Sequence, residues 1–397
     1  MSESEPLATN AEWTRSFEVR YTHRVFFTRR AADPTNPVLD SAIGDVRRVL
    51  VVIEDTVHAA HPDYAPALIR RMGPRAVPTP LVLSGGEQSK QDTRVYDAIT
   101  RAIHECGIDR HSVLVAVGGG AFLDAAGFAA ATAHRGVQLV RFPTTTLAQA
   151  DSGVGVKNSL NTFGKKNFTG SFSVPLAIVN DLGFLSTQNT EQRILGLIEA
   201  LKVALIKDPE LFTWIAENVG RIRSADTDAL EFAVRSSARL HFDHITLGSD
   251  PFERGSSRPL DFGHWAAHKL ESLSGHSLSH AGAVSIGLAL DVTYSFLKGW
   301  LPEADARAIF RVFHELSWPV YHPLLEAPGT SGNAAIYDGL DEFREHLGGE
   351  LTLLMLDGIG RPRDIHEVDF ATMTKAIAML ARSAKFGTSI GETEPGS

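Results

Sequence analysis

Cysteine is almost absent from this chain, since Cys106 is the only one among 397 residues. One cysteine excludes a disulfide framework and any zinc site built on cysteines, and it favours a reducing compartment. An excess of positive charge is also absent, since 38 Lys and Arg stand against 47 Asp and Glu. The formal net charge is -9, which gives no support for nucleic-acid binding. No run of 18 apolar residues occurs, so no membrane-spanning helix and no membrane partner are predicted.

The amino-terminal residues, MSESEPLATNAEWTRS, lack the basic start and apolar centre of a signal peptide. We therefore expect a cytoplasmic protein. Hydrophobic residues make up 43% of the chain and charged residues 21%, which is typical of a globular protein. Because a chain of this length exceeds what one hydrophobic core usually sustains, two domains are expected.

The first half of the chain alternates strand-like and helix-like segments. Strands are predicted at FEVRYTHRVFF (residues 17–27), VRRVLVVIED, PTPLVLSGGE, SVLVAVGGG, VQLVRFPTTT and LAIVNDLGFL. Helical spacing appears between several of them, as in YAPALIRRM and DTRVYDAITRAIHEC. Strands rich in Val and Leu that alternate with helices predict a mostly parallel sheet covered on both faces. We place this α/β domain at residues 1–186.

The second half of the chain changes character after about residue 184. Segments such as NTEQRILGLIEALKVALIKD and HAGAVSIGLALDVTYSFLKG carry apolar residues at helical spacing. LTLLMLDGIG is compatible with a small hairpin, but no second parallel sheet is indicated. We therefore predict an all-α domain at residues 187–397.

Two glycine-rich turns follow predicted strands. Gly118, Gly119 and Gly120 stand between an apolar strand and a helix, where backbone amides can approach a phosphate. SGGEQSK, with Glu87 and Lys90, stands at the end of another strand. Neither turn has the GxGxxG spacing, so each is also compatible with a plain tight turn. Two such turns at the same edge of a parallel sheet favour a nucleotide crevice.

Metal-binding side chains are concentrated in the helical half. Four of the 16 histidines lie in DFGHWAAHKLESLSGHSLSHAGAV, and His264 and His268 are four residues apart. On a helix their imidazoles project from one side. Glu199 lies in the apolar helix ILGLIEALKVALI, where a carboxylate needs a partner. Two or three histidines with one carboxylate would form a zinc site with an open position. Because HExxH is absent, metalloprotease chemistry is disfavoured.

Cations and amides cluster between the two predicted domains. They are Arg135, Lys157, Lys165, Lys166 and Lys202, with Asn161 and Asn167 nearby. Such a group in a glycine-punctuated loop suits a small molecule that carries phosphate. A solvated basic loop is an equally good interpretation of the composition alone.

Several motifs together resemble the sugar phosphate cyclase superfamily, of which 3-dehydroquinate synthase is the best-known member. They are GGEQSK, VGGGAFLDAAGF, HRG, FPTTTLAQADSGVGVKNSLN, GKKN, IEALK, FGHWAAH and SHAGAV. The resemblance runs from about residue 45 to 290 and is weaker to 360. It implies an amino-terminal NAD-binding domain, a helical metal-binding domain, an active site between them, and a homodimer.

The resemblance also implies roles for individual residues. The ligands of one Zn or Co ion would be Glu199, His264 and His280. NAD would contact Asp55, Glu87, Lys90, Gly119, Gly120, Asp124, Thr144, Thr145, Asp151, Lys157, Lys166, Phe184 and Thr187. The sugar phosphate substrate would contact Arg135, Lys157, Asn167, Lys202 and His268. In such enzymes NAD oxidises a hydroxyl transiently, phosphate is eliminated, the ketone is reduced again, and an aldol addition closes the ring.

The chain departs from the quinate-forming members at the residues that bind a substrate carboxylate. In the quinate-forming members an Asn stands three residues before the first metal-binding His, and this chain has Asp261 there. His241 corresponds to the position of their Lys. Their Arg is at best displaced to Arg258. Because an Asp would repel a carboxylate and accept hydroxyl groups, we expect Asp261 to select a neutral substrate such as sedoheptulose 7-phosphate. The relatives that make valiolone-type cyclitols share this Asp.

Two further departures bear on the product. The usual HGEAV reads HAGAV, which removes a carboxylate beside His280. His268 is kept, although 2-epi-5-epi-valiolone synthases tend to lack it, so a 2-epi-valiolone synthase or a separate branch is also compatible. The alternatives are 3-dehydroquinate synthase, a metal-dependent polyol dehydrogenase, and an inactive protein that keeps the fold. The lysine cluster disfavours the dehydrogenase, and the complete ligand set disfavours the inactive protein.

Overall fold

A computed structural model describes residues 12–248, 250–255, 258–275, 277–329 and 333–386. Within these ranges no helix is both long enough and apolar enough to cross a membrane. His276, one of the four clustered histidines, lies outside the described residues. The division of the chain at residue 186 stays a prediction.

In the described residues, ten strands form one six-stranded sheet and two hairpins. They are β1 (Val25–Thr28), β2 (Val49–Glu54), β3 (Leu81–Leu83), β4 (Val113–Gly118), β5 (Gln138–Pro143), β6 (Lys157–Thr162), β7 (Lys165–Phe172), β8 (Ala177–Asp181), β9 (Leu353–Gly358) and β10 (Arg361–Ile365). The large sheet has the order β1-β8-β5-β4-β2-β3, and every pairing in it is parallel. The predicted parallel sheet is therefore confirmed.

The order in which the chain adds strands to the sheet reverses between β2 and β4. From β2 the chain continues to β3 on one side, whereas β4 and β5 lie on the other side. Every residue of β2 and β4 is buried, as expected for strands covered on both faces. The carboxyl ends of two such strands diverge and open a crevice for ligands. The glycines that follow β4 lie at this edge.

The strand predicted at residues 17–27 is wrong for most of its length. Only Val25–Thr28 pairs, with β8, and residues 12–24 have no regular structure. The alternating pattern is present, with Phe17 and Tyr21 exposed. No described strand lies beside this segment, so its backbone has no ladder to join.

Sixteen α-helices lie in the part of the chain that the structure describes. They are α1 (Val38–Ile43), α2 (Asp55–Ala60), α3 (Tyr64–Met72), α4 (Gln88–Gln91), α5 (Arg94–Glu105), α6 (Gly120–Thr132), α7 (Thr190–Leu195), α8 (Ile198–Lys207), α9 (Pro209–Glu217), α10 (Val219–Arg223), α11 (Thr227–Leu247), α12 (His264–Leu273), α13 (His280–Leu297), α14 (Glu303–Glu315), α15 (Asp338–His346) and α16 (Phe370–Phe386). Helices α7 to α16 enclose one large apolar core. The small hairpin is confirmed as β9–β10.

The second hairpin, β6–β7, was not predicted from the sequence. It joins Lys157–Thr162 to Lys165–Phe172 in antiparallel register. Its sequence, VKNSLNTFGKKNFTG, has more polar than apolar residues, so the alternation that identifies a half-buried strand is missing. The hairpin carries the predicted basic residues to the face of α12, and Lys166 reaches Glu271 there.

Candidate active site

A cleft of about 750 Å³ lies between the parallel sheet and the helical half. Its volume is in the range of ordinary small-molecule sites. Glu87, Gly119 and Asp124 line it from the sheet side, and Glu199's neighbours Lys202 and His264 line it from the helical side. The two predicted glycine-rich turns and the histidine cluster therefore meet in one cavity.

Glu199, His264 and His280 converge on one point. One ligand atom from each lies within 4.8 Å of the other two. The Nε2 atoms of His264 and His280 are 3.8 and 3.7 Å from Glu199 Oε1, which is too long for a hydrogen bond. The three side chains thus surround a gap with two imidazole nitrogens and a carboxylate oxygen, the donor set of a tetrahedral zinc site with one open position.

Local sequence fixes the orientation of these three ligands. Glu199 lies in the first turn of α8, a helix in which nine of the ten residues are buried. His264 starts α12 directly after Gly263, whose φ of 77° is in the left-handed region. A side chain at Gly263 would approach the Leu288 nitrogen to 2.7 Å. Glycine therefore permits the tight entry that aims His264 at Glu199.

A buried carboxylate on α13 holds this entry in place. Asp291 accepts hydrogen bonds from the Gly263 backbone N–H (3.0 Å) and the Trp265 indole (2.9 Å). Burial raises the pKa of Asp291 to about 7. Since its two donors flank His264 on either side, Asp291 ties the first turn of α12 to the neighbouring helix.

The cluster is electrostatically suited to a cation. Glu199 is fully buried, and its Oε1 atom has no hydrogen-bond partner among the described residues. Lys202 Nζ is 2.6 Å from the other oxygen. Burial, with Lys202 nearby, lowers the pKa of His264 to about 4, so this ring is neutral at pH 7 and can donate a lone pair. A divalent metal would supply the missing partner of the carboxylate.

Glu271 connects His280 to the basic hairpin. One of its oxygens lies 3.1 Å from His280 Nδ1 and the other 2.5 Å from Lys166 Nζ. Its side chain is only 3% exposed. Burial acts to raise the pKa of Glu271, but His280 and Lys166 outweigh it and hold that pKa well below its usual value.

Asp261 lies at the end of the cleft beside Lys157 and His264. Burial acts to raise the pKa of Asp261, but the positive charges of Lys157 and Arg258 outweigh it and keep that pKa below the usual range. Asp261 is therefore a carboxylate at neutral pH. Lys157 itself forms an ion pair of 2.6 Å with Glu253.

Asp151 is shared between two cleft residues. It lies in a π-helical turn, Ala148–Ser152, a rare conformation that is frequent at functional sites. Its Oδ1 atom is 2.7 Å from His241 Nδ1 and 3.9 Å from Lys202 Nζ. Burial acts to raise the pKa of Asp151, but Lys202 and His241 outweigh it and hold that pKa below the usual range. This side chain is therefore also ionised at neutral pH.

The predicted dinucleotide residues meet at the sheet edge. Lys90 donates hydrogen bonds to Asp124 (2.6 Å) and Asn167 (2.5 Å). The Gly119 N–H donates to Glu54 (2.8 Å). The other predicted residues that line the cleft are Glu87, Gly120, Thr145, Asp151, Lys157, Lys166, Lys202 and His268.

Among the predicted NAD and substrate contacts, five residues do not line the cleft. Asp55 is exposed, and Thr144 is buried with an unpartnered hydroxyl. Phe184 and Thr187 both contact His61 outside the cleft. Arg135 is exposed three residues beyond α6. The cleft meets the amino-terminal part of this 13-residue helix, and Arg135 lies beyond its carboxyl end.

Sequence reasoning missed three acids of the cleft. Glu54 is the last residue of β2, and Gly85 faces it so closely that a Cβ there would lie 2.0 Å from its side chain. The sequence could have indicated Glu54, because an acid that ends an otherwise apolar buried strand does not contribute to the hydrophobic core and therefore points to another role. Glu253 and Glu271 line the cleft as well, but only the tertiary structure brings them to Lys157 and His280.

Comparison with known proteins agrees with this architecture. The family models described as 3-dehydroquinate synthase N-terminal and C-terminal match residues 80–194 and 196–334. A 2-epi-5-epi-valiolone synthase of Actinomyces sp. is 32% identical over 93% of this chain and 97% of its own. A 3-dehydroquinate synthase of Shewanella sp. is 31% identical over 83% of this chain and 89% of its own.

A solved structure gives the same result. The 2-epi-5-epi-valiolone synthase of Streptomyces hygroscopicus, solved with NAD⁺ and Zn²⁺ bound, aligns with a TM-score of 0.84. It is 26% identical, and the alignment covers 93% of this chain and 99% of that chain. From its cleft, its fold and these matches, the chain belongs to the 3-dehydroquinate synthase family of sugar phosphate cyclases.

Proposed function

We propose that the chain is an NAD- and metal-dependent cyclase that converts sedoheptulose 7-phosphate to a valiolone-type cyclitol with loss of phosphate. Formally it would be a carbon–oxygen lyase acting on phosphates. The observation that carries the choice of substrate is Asp261, an ionised side chain in the cleft next to His264.

Asp261 favours a substrate whose far end carries hydroxyl groups. A carboxylate can accept hydrogen bonds from hydroxyls but has no proton to donate to a second carboxylate. Lys157 is the nearest cation, and it is already paired with Glu253. A carboxylated substrate would therefore bring a third negative charge to this end of the cleft, where like charges repel strongly.

Different residues of the cleft would hold the metal and NAD. Glu199, His264 and His280 would hold one Zn or Co ion, and the residues at the ends of β2 and β4 would hold NAD. When bound, NAD accepts and returns a hydride and the metal polarises the oxygen of the reacting carbon. The 2-epi-5-epi-valiolone synthase structure with NAD⁺ and Zn²⁺ supports this assignment.

The chain's own cations would bind the phosphate and stabilise it as it leaves. Lys90 and Lys166 already lie within 2.6 Å of protein acids. Lys90 also donates a hydrogen bond to Asn167. A phosphate can replace such intramolecular partners, because it offers more acceptor oxygens at similar distance. Lys202, held between Glu199 and Asp151, is placed to bind an oxygen beside the metal cluster.

The second candidate is 3-dehydroquinate synthase. The similarity to the Shewanella enzyme is nearly as high as that to the Actinomyces enzyme, so identity alone does not choose between them. Arg258, 4.0 Å from Glu253, supplies another cation near Lys157, which is the one feature of the cleft that favours a carboxylated substrate.

One experiment separates the candidates. Purified protein is incubated with NAD⁺, Zn²⁺ or Co²⁺ and either sedoheptulose 7-phosphate or the carboxylated precursor of dehydroquinate, and phosphate release and product NMR are followed. We expect turnover of the heptulose phosphate alone. Efficient dehydroquinate formation would overturn the proposal, and accumulation of NADH with product would indicate a dehydrogenase instead.

We also propose a homodimer in the cytoplasm. Trp13 and Phe17 are 95% and 85% exposed on a segment without regular structure, and a second copy of the chain would shield them from water. Light scattering of the purified protein tests this, with Phe17→Ser expected to weaken association and a monomeric wild-type chain contradicting it.

A further inference from the structure

The environment of His280 differs from that of His264. The Nδ1 atom of His264 faces the Phe262 backbone carbonyl at 3.1 Å, which can only accept a hydrogen bond. The Nδ1 atom of His280 has two neighbours instead, Glu271 Oε2 at 3.1 Å and Lys166 Nζ at 3.3 Å. One neighbour accepts and the other donates, so they favour opposite tautomers of the ring.

Only one of these tautomers can bind a metal through the nitrogen that faces Glu199. If His280 donates from Nδ1 to Glu271, its Nε2 atom keeps a lone pair, and this is the atom 3.7 Å from Glu199 Oε1. If His280 instead accepts from Lys166, Nε2 carries the proton and has no lone pair for a metal. The partner of Nδ1 therefore decides whether the site can form.

Glu271 is placed to settle this competition. Its Oε1 atom is 2.5 Å from the Lys166 ammonium and its Oε2 atom faces His280, so one carboxylate occupies both groups at once.

We propose that Glu271 is a positioning residue that fixes the metal-binding tautomer of His280 and keeps Lys166 from donating to it. The inference rests on the proposed metal site. It assigns Glu271 no contact with substrate or NAD, and it concerns the affinity for the metal before any reaction takes place.

The test is direct Zn²⁺ titration of the metal-free full chain, by calorimetry with a competing chelator. In Glu271→Met no side-chain oxygen remains to accept the His280 proton, and we expect Zn²⁺ affinity to fall roughly ten- to a hundredfold, the usual effect of losing such a partner. Glu342→Met is the matched control. Glu342 pairs at 2.7 Å with Lys269, which lies on α12 as Glu271 does, and it contacts no predicted metal ligand. The Zn²⁺ affinity of this control variant should change less than twofold.

A second background separates orientation of His280 from simple charge screening. Glu271→Met is repeated in Lys166→Met, where the competing donor is gone. A tenfold or larger loss that persists there supports the direct hydrogen bond to His280. A loss that disappears with Lys166 would overturn it, because Glu271 would then act only by neutralising the lysine.

The ring tautomer provides a measurement that needs no variant. Long-range ¹⁵N–¹H NMR of the histidine rings in metal-free wild-type protein should show His280 protonated at Nδ1, and a proton at Nε2 would overturn the proposal. Glu199→Ala distinguishes the two levels. If it leaves Zn²⁺ binding intact, the metal site itself is wrong. If it abolishes binding while Glu271→Met does not weaken it, only the positioning role is wrong.

Discussion

The two ends of the cleft satisfy their charges in different ways. At the metal end, the carboxylate and imidazole atoms of Glu199, His264 and His280 stay 3.7 and 3.8 Å apart. At the lysine end, Lys90 and Lys157 each close to 2.6 Å on a protein carboxylate. The first arrangement leaves a gap for an added cation, whereas in the second each of the two lysines already has a protein partner.

The difference follows from the side chains. Imidazole and carboxylate groups on buried helices have few rotamers, so they keep their spacing without the ion. Lysine has four rotatable bonds and pairs with whatever acid is within reach. A preorganised site should depend on each of its ligands almost completely, and a site of flexible cations should lose only part of its function when one partner changes.

The largest effect is expected at Glu199. Glu199→Gln removes the negative charge that balances a divalent ion, and we expect Zn²⁺ binding to fall below detection and turnover of the sugar phosphate to fall roughly a thousandfold or more. Metal content after dialysis and phosphate release measure both. Glu210→Gln, on the exposed surface of α9, is the control. One bound ion per chain in Glu199→Gln would mean that the two ends do not differ as proposed.

The stability of the metal-free chain should depend on pH through the metal end. His264 has a folded pKa of about 4 against an ordinary 6.5, so folding favours the neutral ring. Stability is full above pH 6.5 and falls as the pH decreases towards 4, by about 3 kcal/mol for a fully buried group. Urea unfolding in the presence of chelator, from pH 7.5 to 4, measures this loss.

His264→Gln provides the comparison for the pH experiment. The variant has no ring to protonate, so its free energy of unfolding should change less between pH 6.5 and 4 than that of the wild-type chain. The same slope in both proteins would show that His264 is not the group that titrates.

Asp261→Asn tests the lysine end with a substrate. The amide keeps one acceptor and loses the charge. We therefore expect kcat/KM for sedoheptulose 7-phosphate to fall about five- to 150-fold, which corresponds to a loss of about 1–3 kcal/mol of transition-state stabilisation, with metal content unchanged. Asp243→Asn, whose exposed partner is Arg239, controls for charge alone. Unchanged kinetics in Asp261→Asn would remove the argument for a neutral substrate.

The smallest effect is expected for Glu253→Gln. Glu253 competes with substrate for Lys157, whose side chain is 47% exposed, and ion pairs of this kind are worth about 0.2–1 kcal/mol. We therefore expect KM to decrease by less than about fivefold while kcat is unchanged. Glu345→Gln, which breaks the exposed pair with Lys165, is the control. A large increase in KM would instead assign Glu253 to substrate binding.

The sequence predicted the parallel sheet and the helical half, and the resemblance to sugar phosphate cyclases supplied the three metal-ligand candidates. Val- and Leu-rich strands and helical spacing are local patterns, so they are visible without the fold, whereas the i, i+4 pair alone favoured His264 and His268 and did not single out His280. The strand at residues 17–27 was wrong and the β6–β7 hairpin was missed, because strand formation depends on a partner strand that no local pattern identifies.

The sequence by itself thus determined which elements form and which side chains have chemistry to offer. Tertiary structure decided which of these side chains meet. Glu54 rather than Asp55 faces Gly119, because the last residue of a strand and its successor point in different directions. Glu271 reaches His280 and Lys166 across α12, α13 and the hairpin, and Arg135 is separated from the cleft by the length of α6. The distances between groups that are far apart in the chain are set by how the helices and strands pack. That packing depends on contacts between distant segments, so no single segment determines it.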